Sequence, residues 1–241
     1  MTADYEDLWA GCWGEMQDIG PVHRHMRRLI VDMVRPLRPR SVLDVGCGNG
    51  ANLRALQADG GVEEAVGIDL AAAAIETAKR RVQGEFLVMD IEKEPPLNRT
   101  FDLVLSNQVI EHLHDDDAFL AKLREMCSGY CLIGTMQGRM RSSEVHIGHL
   151  RNYTTPGLQE KMRRAGFTIE RTVGWGFPFY SPLYRSAIEW IGGNAKEIQY
   201  DRKDRIIASA LYNLYRLNSS KKGDVLMILA RANGASVGRK A

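Results

Sequence analysis

A glycine cluster near residue 46 is the clearest candidate for a ligand-binding loop in this chain. Residues 41–45 (SVLDV) read as a short strand, Gly46, Gly48 and Gly50 follow, and 51–58 are predicted to form a helix. Glycine allows a tight turn and lets a ligand approach the backbone. A helix N-terminus adds free N–H groups and a positive dipole end. This order of elements therefore predicts a loop that holds part of a cofactor.

Acidic residues at the ends of the first two strands extend the predicted site. Asp44 lies two residues before Gly46, and Asp69 ends a second predicted strand. This spacing, with Ala51, also fits the dinucleotide fingerprint G-x-G-x-x-A, in which a later acid binds a ribose. The loop alone therefore does not distinguish NAD from another adenosine cofactor. Asp44 favours the second, because an acid there suits a cationic ligand better than a pyrophosphate.

The elements that must position these residues alternate regularly. Further strands are predicted over 85–89, 101–106, 130–135, 167–173 and 225–230, and helices over 71–82 and 155–165. Strands that alternate with helices indicate an α/β fold with a parallel sheet and helices on both faces. Asp90 ends the third strand, and the fourth runs into Ser106-Asn-Gln-Val-Ile-Glu-His112.

Composition excludes several other classes of protein. The chain has 241 residues, of which 44% are hydrophobic and 26% charged, with a formal charge of +2. These values are typical of one globular domain and not of a disordered chain or a coiled coil. The four cysteines form no CxxC pair, so a zinc ribbon is not indicated. The start of the chain lacks a signal-peptide pattern and no long apolar run occurs, so a cytoplasmic location is expected.

The linked motifs resemble those of the class I S-adenosylmethionine-dependent methyltransferases, over about residues 41–231. The resemblance implies a doubly wound, mostly parallel seven-stranded α/β sheet whose last strand is antiparallel. It also implies four parts within one domain. These are an N-terminal helical cap (1–40), a Rossmann-like core (41–173), a helical and aromatic insertion (174–223) that forms a lid or dimer surface, and the last strand with its tail (224–241).

The resemblance also assigns cofactor contacts for S-adenosylmethionine. Asp44 and the backbone from Gly46 to Asn49 would hold its amino-acid end. Asp69 would accept from both ribose hydroxyls, and Leu70 would pack on the adenine. Asp90 would accept from the adenine amino group beside Ile91, while Asn107 and Gln108 would close the site at the methionine end. The full set is Asp44, Gly46, Cys47, Gly48, Asn49, Asp69, Leu70, Asp90, Ile91, Asn107 and Gln108. For Asp69 and Asp90, the alternative is a residue that only stabilises the turn after a strand.

Catalysis of methyl transfer requires mainly alignment and the exclusion of water, because the sulfonium leaving group is already activated. A base is needed only where the acceptor must lose a proton. His112 is the first candidate, and Glu111 is either its partner or a structural residue. His149 is expected to line the acceptor pocket with Arg151 and Tyr153. The alternative for His112 is a residue that holds the loop, and His146 is expected to be solvated.

No metal site is predicted. Relatives with the pattern E-x-x-E-H and a later histidine resemble this segment, but Gln108 replaces the first acid here, and an amide is a poor ligand for a hard cation.

A small-molecule acceptor is the favoured substrate class. The turn after the fourth strand lacks the (Asp/Asn)-Pro-Pro-aromatic motif, and the chain has no Pro-Cys dipeptide. We expect O-methylation of a sugar, lipid-linked or secondary-metabolite hydroxyl. The alternatives are N-methylation of an amine or amino sugar, an RNA or protein methyltransferase, an NAD-linked oxidoreductase, and a binding protein that has lost the chemistry.

Two surfaces could contact partners. Six arginines within 23–40 could form an RNA-facing stripe, but an amphipathic helix with a solvated basic face is favoured, so no nucleic acid is expected. The aromatic segment 175–190 could be a lid, a peripheral membrane or lipid contact, a homodimer surface, or ordinary packing against the sheet.

Overall fold

A seven-stranded sheet forms the centre of the molecule in a computed structural model that describes residue 9 and residues 13–190 and 200–234. The strand order is β3-β2-β1-β4-β5-β7-β6. Strands β1 to β5 are parallel, and β7 pairs antiparallel with both β5 and β6. The strands are β1 Ser41–Val45, β2 Glu64–Asp69, β3 Glu85–Val88, β4 Phe101–Asn107, β5 Cys127–Met136, β6 Phe167–Trp175 and β7 Val225–Ala232. The expected sheet, including its antiparallel last strand, is confirmed.

Helices cover both faces of this sheet. They are α1 Trp13–Ile19, α2 Pro21–Val34, α3 Ala51–Asp59, α4 Ala72–Arg81, α5 Asp116–Glu125, α6 Ser142–His146, α7 Thr155–Arg164, α8 Arg185–Trp190 and α9 Arg202–Tyr215. Leucines and other apolar residues of α5 and α7 are buried on one face, and those of α2, α3 and α4 on the other. The strands are buried on both sides, which is why they read as continuous apolar runs.

The insertion between the last two strands begins later than expected. Its predicted start at residue 174 is two residues early, because β6 continues to pair with β7 as far as Trp175, opposite Val225. A π-helical turn over Phe179–Tyr184 leads into α8, and α9 packs against α2. The insertion therefore lies beside the N-terminal helices, at the end of the sheet where β5 finishes and β7 begins.

Aromatic residues of the insertion split into a buried and an exposed group. Trp175 is 1% exposed and stacks on His25 of α2, with ring centroids 4.9 Å apart. Tyr180 also stacks on Trp175, with ring centroids 5.7 Å apart. Trp190, by contrast, is 88% exposed. Part of the segment therefore packs as ordinary core, which is one of the alternatives that the sequence left open.

Candidate active site

The glycine loop turns back over the end of β2. The amides of Gly46 and Cys47 both donate to the carbonyl of Ile68, at 2.8 and 3.0 Å. Gly46 and Gly48 have φ angles of +75° and +53°. A Cβ on Gly46 would lie 2.2 Å from Cγ2 of Val109, so only glycine fits there. The loop forms a tight backbone cradle at the carboxyl edge of the sheet.

Asp69 lies at one corner of this cradle. Its carboxylate accepts from the amide of Gly48 at 2.8 Å and from the amide of Ala71 at 2.9 Å. These contacts stabilise the turn and also fix the carboxylate where the resemblance requires a ribose-binding acid. Leu70, the next residue, is 50% exposed, which leaves an apolar side chain at the surface of the cleft. The ribose and adenine contacts of this pair stay predictions.

Asp44 is a fully buried acid with an unsatisfied oxygen. Its Oδ2 lies 3.5 Å from Nδ2 of Asn52, whereas Oδ1 has no hydrogen-bond partner within the described residues. Burial, together with the like charge of Asp69, raises the pKa of Asp44 to about 7. Because a buried acid without a partner is costly, the site favours a cationic ligand that would pair with it.

Two of the predicted loop contacts have other roles for their side chains. Asn49 is 1% exposed, accepts from the amide of Ala51 at 3.2 Å and donates to the carbonyl of Gly14 at 3.2 Å. Its side chain therefore begins α3 and holds α1 in place. Burial raises the pKa of the Cys47 thiol well above its usual range, so the group stays neutral. For both residues, the backbone forms part of the loop, whereas the side chain has a role other than the predicted cofactor contact.

Asp90 makes the contacts of a turn residue. Its carboxylate lies 2.8 Å from Nζ of Lys93 and accepts from the amides of Glu92 and Lys93 at 3.1 and 3.3 Å. Partial burial acts to raise the pKa of Asp90, but these partners lower it by more, so the pKa lies below its usual value. Ile91 is 7% exposed and belongs to the core. An adenine contact for this pair stays a prediction, and the alternative role of Asp90 in the turn is present.

The end of β4 carries several polar atoms that lack partners. The atoms Oγ of Ser106, Oδ1 of Asn107 and Nε2 of Gln108 are buried and form no hydrogen bond among the described residues. Gln108 adopts a φ of +61°, rare for a residue with a side chain. Gly134 of β5 makes room for Asn107, since a Cβ there would lie 2.2 Å from Oδ1. Unsatisfied polar atoms in a row beside Asp44 indicate a site built for a polar ligand.

Glu111 lies in the turn that follows the end of β4. It is fully buried in a 3₁₀ turn over Ile110–His112 and accepts from Oγ1 of Thr135 at 2.9 Å, while Oε1 has no partner in the described part of the chain. Burial, with a contribution from the nearby charge of Glu144, raises its pKa to about 7. This carboxyl is therefore close to half-protonated near neutral pH, which suits a group that exchanges a proton.

His112 and His149 meet next to Glu111. Their ring centroids are 4.6 Å apart in an edge-to-face arrangement. Burial lowers the pKa of both to about 4; the neighbouring histidine lowers it further for His112, and the amide of Asn152 partly opposes the shift for His149. Both rings are therefore neutral at pH 7. The sequence predicted His112 and His149 at the acceptor and Glu111 as a partner of His112 or a structural residue, and the structure brings the three together.

The same three residues form a set of candidate metal ligands. One donor atom from each of Glu111, His112 and His149 lies within 4.8 Å of the others. The expectation of no metal depended on Gln108, which is not part of this set. Two imidazoles and a carboxylate suit a transition-metal ion, and the unpartnered Oε1 of Glu111 and Nδ1 of His149 fit such a role.

Arg151 and Tyr153 do not line the pocket as expected. Arg151 lies 3.3 Å from the carboxylate of Asp116 in α5, and the hydroxyl of Tyr153 donates to the same carboxylate at 2.8 Å. Both side chains therefore fasten the segment after β5 to α5. His146 is exposed at the end of α6, as expected for a solvated residue.

A buried ion network that sequence reasoning missed supports His149. Glu144 of α6 accepts from Arg185 of α8 and, at 3.0 Å, from Nδ2 of Asn152. Arg185 also pairs with Asp224, just before β7. The amide of His149 donates to the carbonyl of Glu144 at 2.9 Å. The insertion is thus joined to the histidine pocket through residues about 40 positions apart, and no local motif marks such a pairing.

Four of the six arginines in the basic segment 23–40 contact other residues of the molecule. Arg24 lies over the ring of Tyr212 at 3.8 Å, and Arg27 donates to the carbonyl of Gln17. Arg35 pairs with Asp59 and Arg40 with Glu63, each at 2.6 Å. These contacts favour the amphipathic-helix interpretation over an RNA-facing surface.

Comparisons with known proteins agree with this fold. Residues 42–128 match the family model of a methyltransferase domain. A tRNA U34 carboxymethyltransferase of Tolumonas auensis is 41% identical over 34% of this chain and 27% of its own length. A ubiquinone biosynthesis O-methyltransferase of Azorhizobium caulinodans is 28% identical over 73% of this chain and 83% of its own length. Several other curated relatives, like the tRNA enzyme, are matched over less than two thirds of their length.

A solved structure extends the likeness to nearly the whole chain. The complex of the Haloferax volcanii Trm112 methyltransferase activator with a methyltransferase contains a chain that superposes with a TM-score of 0.67, at 17% identity, over 98% of this chain and 99% of that one. Residues 42–128 thus resemble a methyltransferase domain, and the likeness to the solved structure shows a shared fold. None of the helices in the described ranges is long and apolar enough to cross a membrane.

Proposed function

We propose that the protein transfers the methyl group of S-adenosylmethionine to a hydroxyl of a small-molecule acceptor. The observation that carries the proposal is the meeting of Glu111, His112 and His149 beside the unsatisfied polar atoms at the end of β4. A hydroxyl must lose its proton as it is methylated. These three side chains would lie beside the acceptor hydroxyl and could accept or position that proton. Asp44 and the glycine loop would hold the cofactor on the adjacent side.

The length of the sequence matches supports a hydroxyl group as the acceptor. The match to the Azorhizobium O-methyltransferase spans 212 residues, beyond the cofactor motifs, whereas the match to the Tolumonas tRNA enzyme spans 90. Acceptor pockets are built from variable segments, so a match that includes those segments carries more weight. The internal contacts of Arg24, Arg27, Arg35 and Arg40 further disfavour RNA as the acceptor.

A metal-assisted version of this reaction is the second candidate. Glu111, His112 and His149 would hold a divalent cation, and a bound cation would supply Lewis-acid stabilisation of the acceptor oxygen. The two versions differ in one measurement. Dialysis against a chelator abolishes turnover, and Mn²⁺ or Zn²⁺ restores it, only if the cation is required. The residues alone suffice if the dialysed protein stays fully active.

The fate of a labelled methyl group tests the proposal. Purified protein is incubated with methyl-labelled S-adenosylmethionine and an extract of the source cells, and label is counted in lipid, small-molecule, nucleic-acid and protein fractions. We expect label in the small-molecule or lipid fraction. Label in RNA or protein would replace the proposed acceptor class, and cofactor binding without transfer to any fraction would favour a protein that has lost the chemistry.

Partner surfaces of the insertion follow from its exposed side chains. Phe177, Leu183 and Trp190 are 46%, 57% and 88% exposed. We include in the proposal a peripheral lipid contact through 175–190, with a homodimer surface as the alternative. Co-sedimentation with anionic vesicles, and mass determination in solution, distinguish the two.

A further inference from the structure

The glycine loop is covered by an aromatic side chain from the start of the protein. A Cβ on Gly48 would lie 2.3 Å from Cη2 and 2.6 Å from Cζ2 of Trp9. The indole therefore rests directly on the backbone of Gly48, and any side chain at this position would displace it. Gly48 is the residue whose amide donates to Asp69 at 2.8 Å, so the indole stands at the corner of the cradle assigned to the cofactor.

Helix α1, which begins at Trp13, is held against the glycine loop, α3 and α4. Asp18 pairs with Arg54 of α3 at 3.0 Å and with Arg81 of α4 at 2.7 Å. The carbonyl of Gly14 accepts from Asn49, the loop residue next to Gly48. Polar contacts at both ends of α1 therefore link this helix to the glycine loop, to α3 and to α4.

Trp13, at the start of α1, supports the indole from the side. The two ring centroids are 6.0 Å apart at an interplanar angle of 77°. Edge-to-face aromatic pairs are a stable arrangement. This contact helps to orient the Trp9 ring, whose outer end meets Gly48.

We propose that Trp9 is a cofactor-binding residue that forms one wall of the S-adenosylmethionine site. This inference depends on the proposed function, since it assumes that the glycine loop binds this cofactor. S-adenosylmethionine carries a sulfonium and an ammonium group, and an indole face attracts cations more strongly than other side-chain rings do. The neutral sulfur of the product S-adenosylhomocysteine lacks one of these charges. Trp9 would therefore favour the substrate form over the product form.

Binding experiments with two leucine variants test the role of Trp9. Calorimetry measures the affinity of the full chain, of Trp9→Leu and of the matched control Trp190→Leu for both cofactor forms. Trp190 lies in α8 and is 88% exposed. Trp9→Leu is expected to weaken binding of S-adenosylmethionine by about tenfold and of S-adenosylhomocysteine by less. The control should leave both affinities unchanged, and Trp9→Phe should retain most of the affinity.

Tryptophan emission supplies a second readout that does not depend on turnover. Addition of S-adenosylhomocysteine should change the emission of the native chain and of Trp190→Leu, but not of Trp9→Leu. Equal affinities and an equal emission change in Trp9→Leu and the native chain would overturn the inference and leave the proposed function intact. If the native chain bound neither cofactor form, the proposed function itself would fail, and this inference with it.

Discussion

The cofactor side and the acceptor side of the cleft are built in different ways. On the cofactor side, backbone amides of the loop from Gly46 to Gly50 donate to Asp69 and to the carbonyl of Ile68, at the end of β2. On the acceptor side, Glu111 meets Thr135, and Glu144 meets Arg185, across 24 and 41 positions. The first site is a backbone conformation that a short motif encodes. The second is an assembly of side chains that forms only when the whole sheet and its insertion are in place.

Replacement of His149 should give the largest separation between the two sides. We expect His149→Ala to lower kcat by roughly a hundredfold or more, the usual contribution of a group that accepts or positions a proton. Binding of S-adenosylhomocysteine should stay within about twofold, because the cradle is untouched. His146→Ala, three residues earlier at the exposed end of α6, is the control. A His149→Ala variant that lost cofactor binding as well would show that the two sides are not separate.

The buried ion network should contribute strongly to stability on the acceptor side alone. Arg185→Met leaves Glu144 and Asp224 without their common partner, and the loss of one member of a buried pair costs about 3–5 kcal/mol. Arg139, 74% exposed beside Glu189, supplies the control, because an exposed pair contributes only about 0–1 kcal/mol. Urea unfolding measures both. Similar losses of unfolding free energy in the two variants would argue against a network that fixes the insertion.

An alanine in the glycine loop should affect the cofactor side alone. Gly46→Ala places a methyl group against Val109, so we expect S-adenosylhomocysteine affinity to fall by roughly thirtyfold. Gly60→Ala is a demanding control: its φ of +93° carries a similar backbone strain, but nothing lies within 4 Å of the new methyl group. Calorimetry should show unchanged binding for Gly60→Ala. Equal losses would mean that strain, and not the shape of the cradle, controls binding.

The charge of Asp44 should make cofactor affinity depend on pH. Its pKa of about 7 means that the carboxyl is mostly protonated below pH 7 and must release its proton to pair with a cationic cofactor. Affinity for S-adenosylmethionine should therefore rise with pH, by up to about tenfold per unit below pH 7, and level off above it. Calorimetry from pH 5.5 to 8.5 checks this, and Asp44→Asn should flatten the profile. An unchanged slope in that variant would assign the effect to another group, such as Glu111.

The cofactor side could be predicted from the sequence because its signals are local. The alternation of strands and helices gave the sheet, and the glycine spacing gave the loop. Some side chains also serve the backbone: Asn49 holds α1, and Asp90 stabilises its own turn, so their cofactor contacts stay predictions. A residue type that suits both roles cannot be assigned by type and position alone.

The acceptor side was only partly predictable. The pair Glu111-His112 is contiguous, so it could be found, but the contact of His112 with His149 depends on how the segment after β5 folds back. Arg151 and Tyr153 were expected in the acceptor pocket, whereas in the structure both side chains contact the carboxylate of Asp116. The Glu144–Arg185 pair and the contact of Trp9 with Gly48 join segments that no sequence pattern connects.

A crystal structure with S-adenosylhomocysteine tests most directly the claim that the two sides have separate tasks. We expect the amino-acid end of the ligand to lie at Asp44 and the glycine loop, its ribose hydroxyls to lie at Asp69, and the space between His112 and His149 to stay open for the acceptor. A ligand bound between the two histidines, or one that leaves Asp44 and the loop untouched, would contradict it.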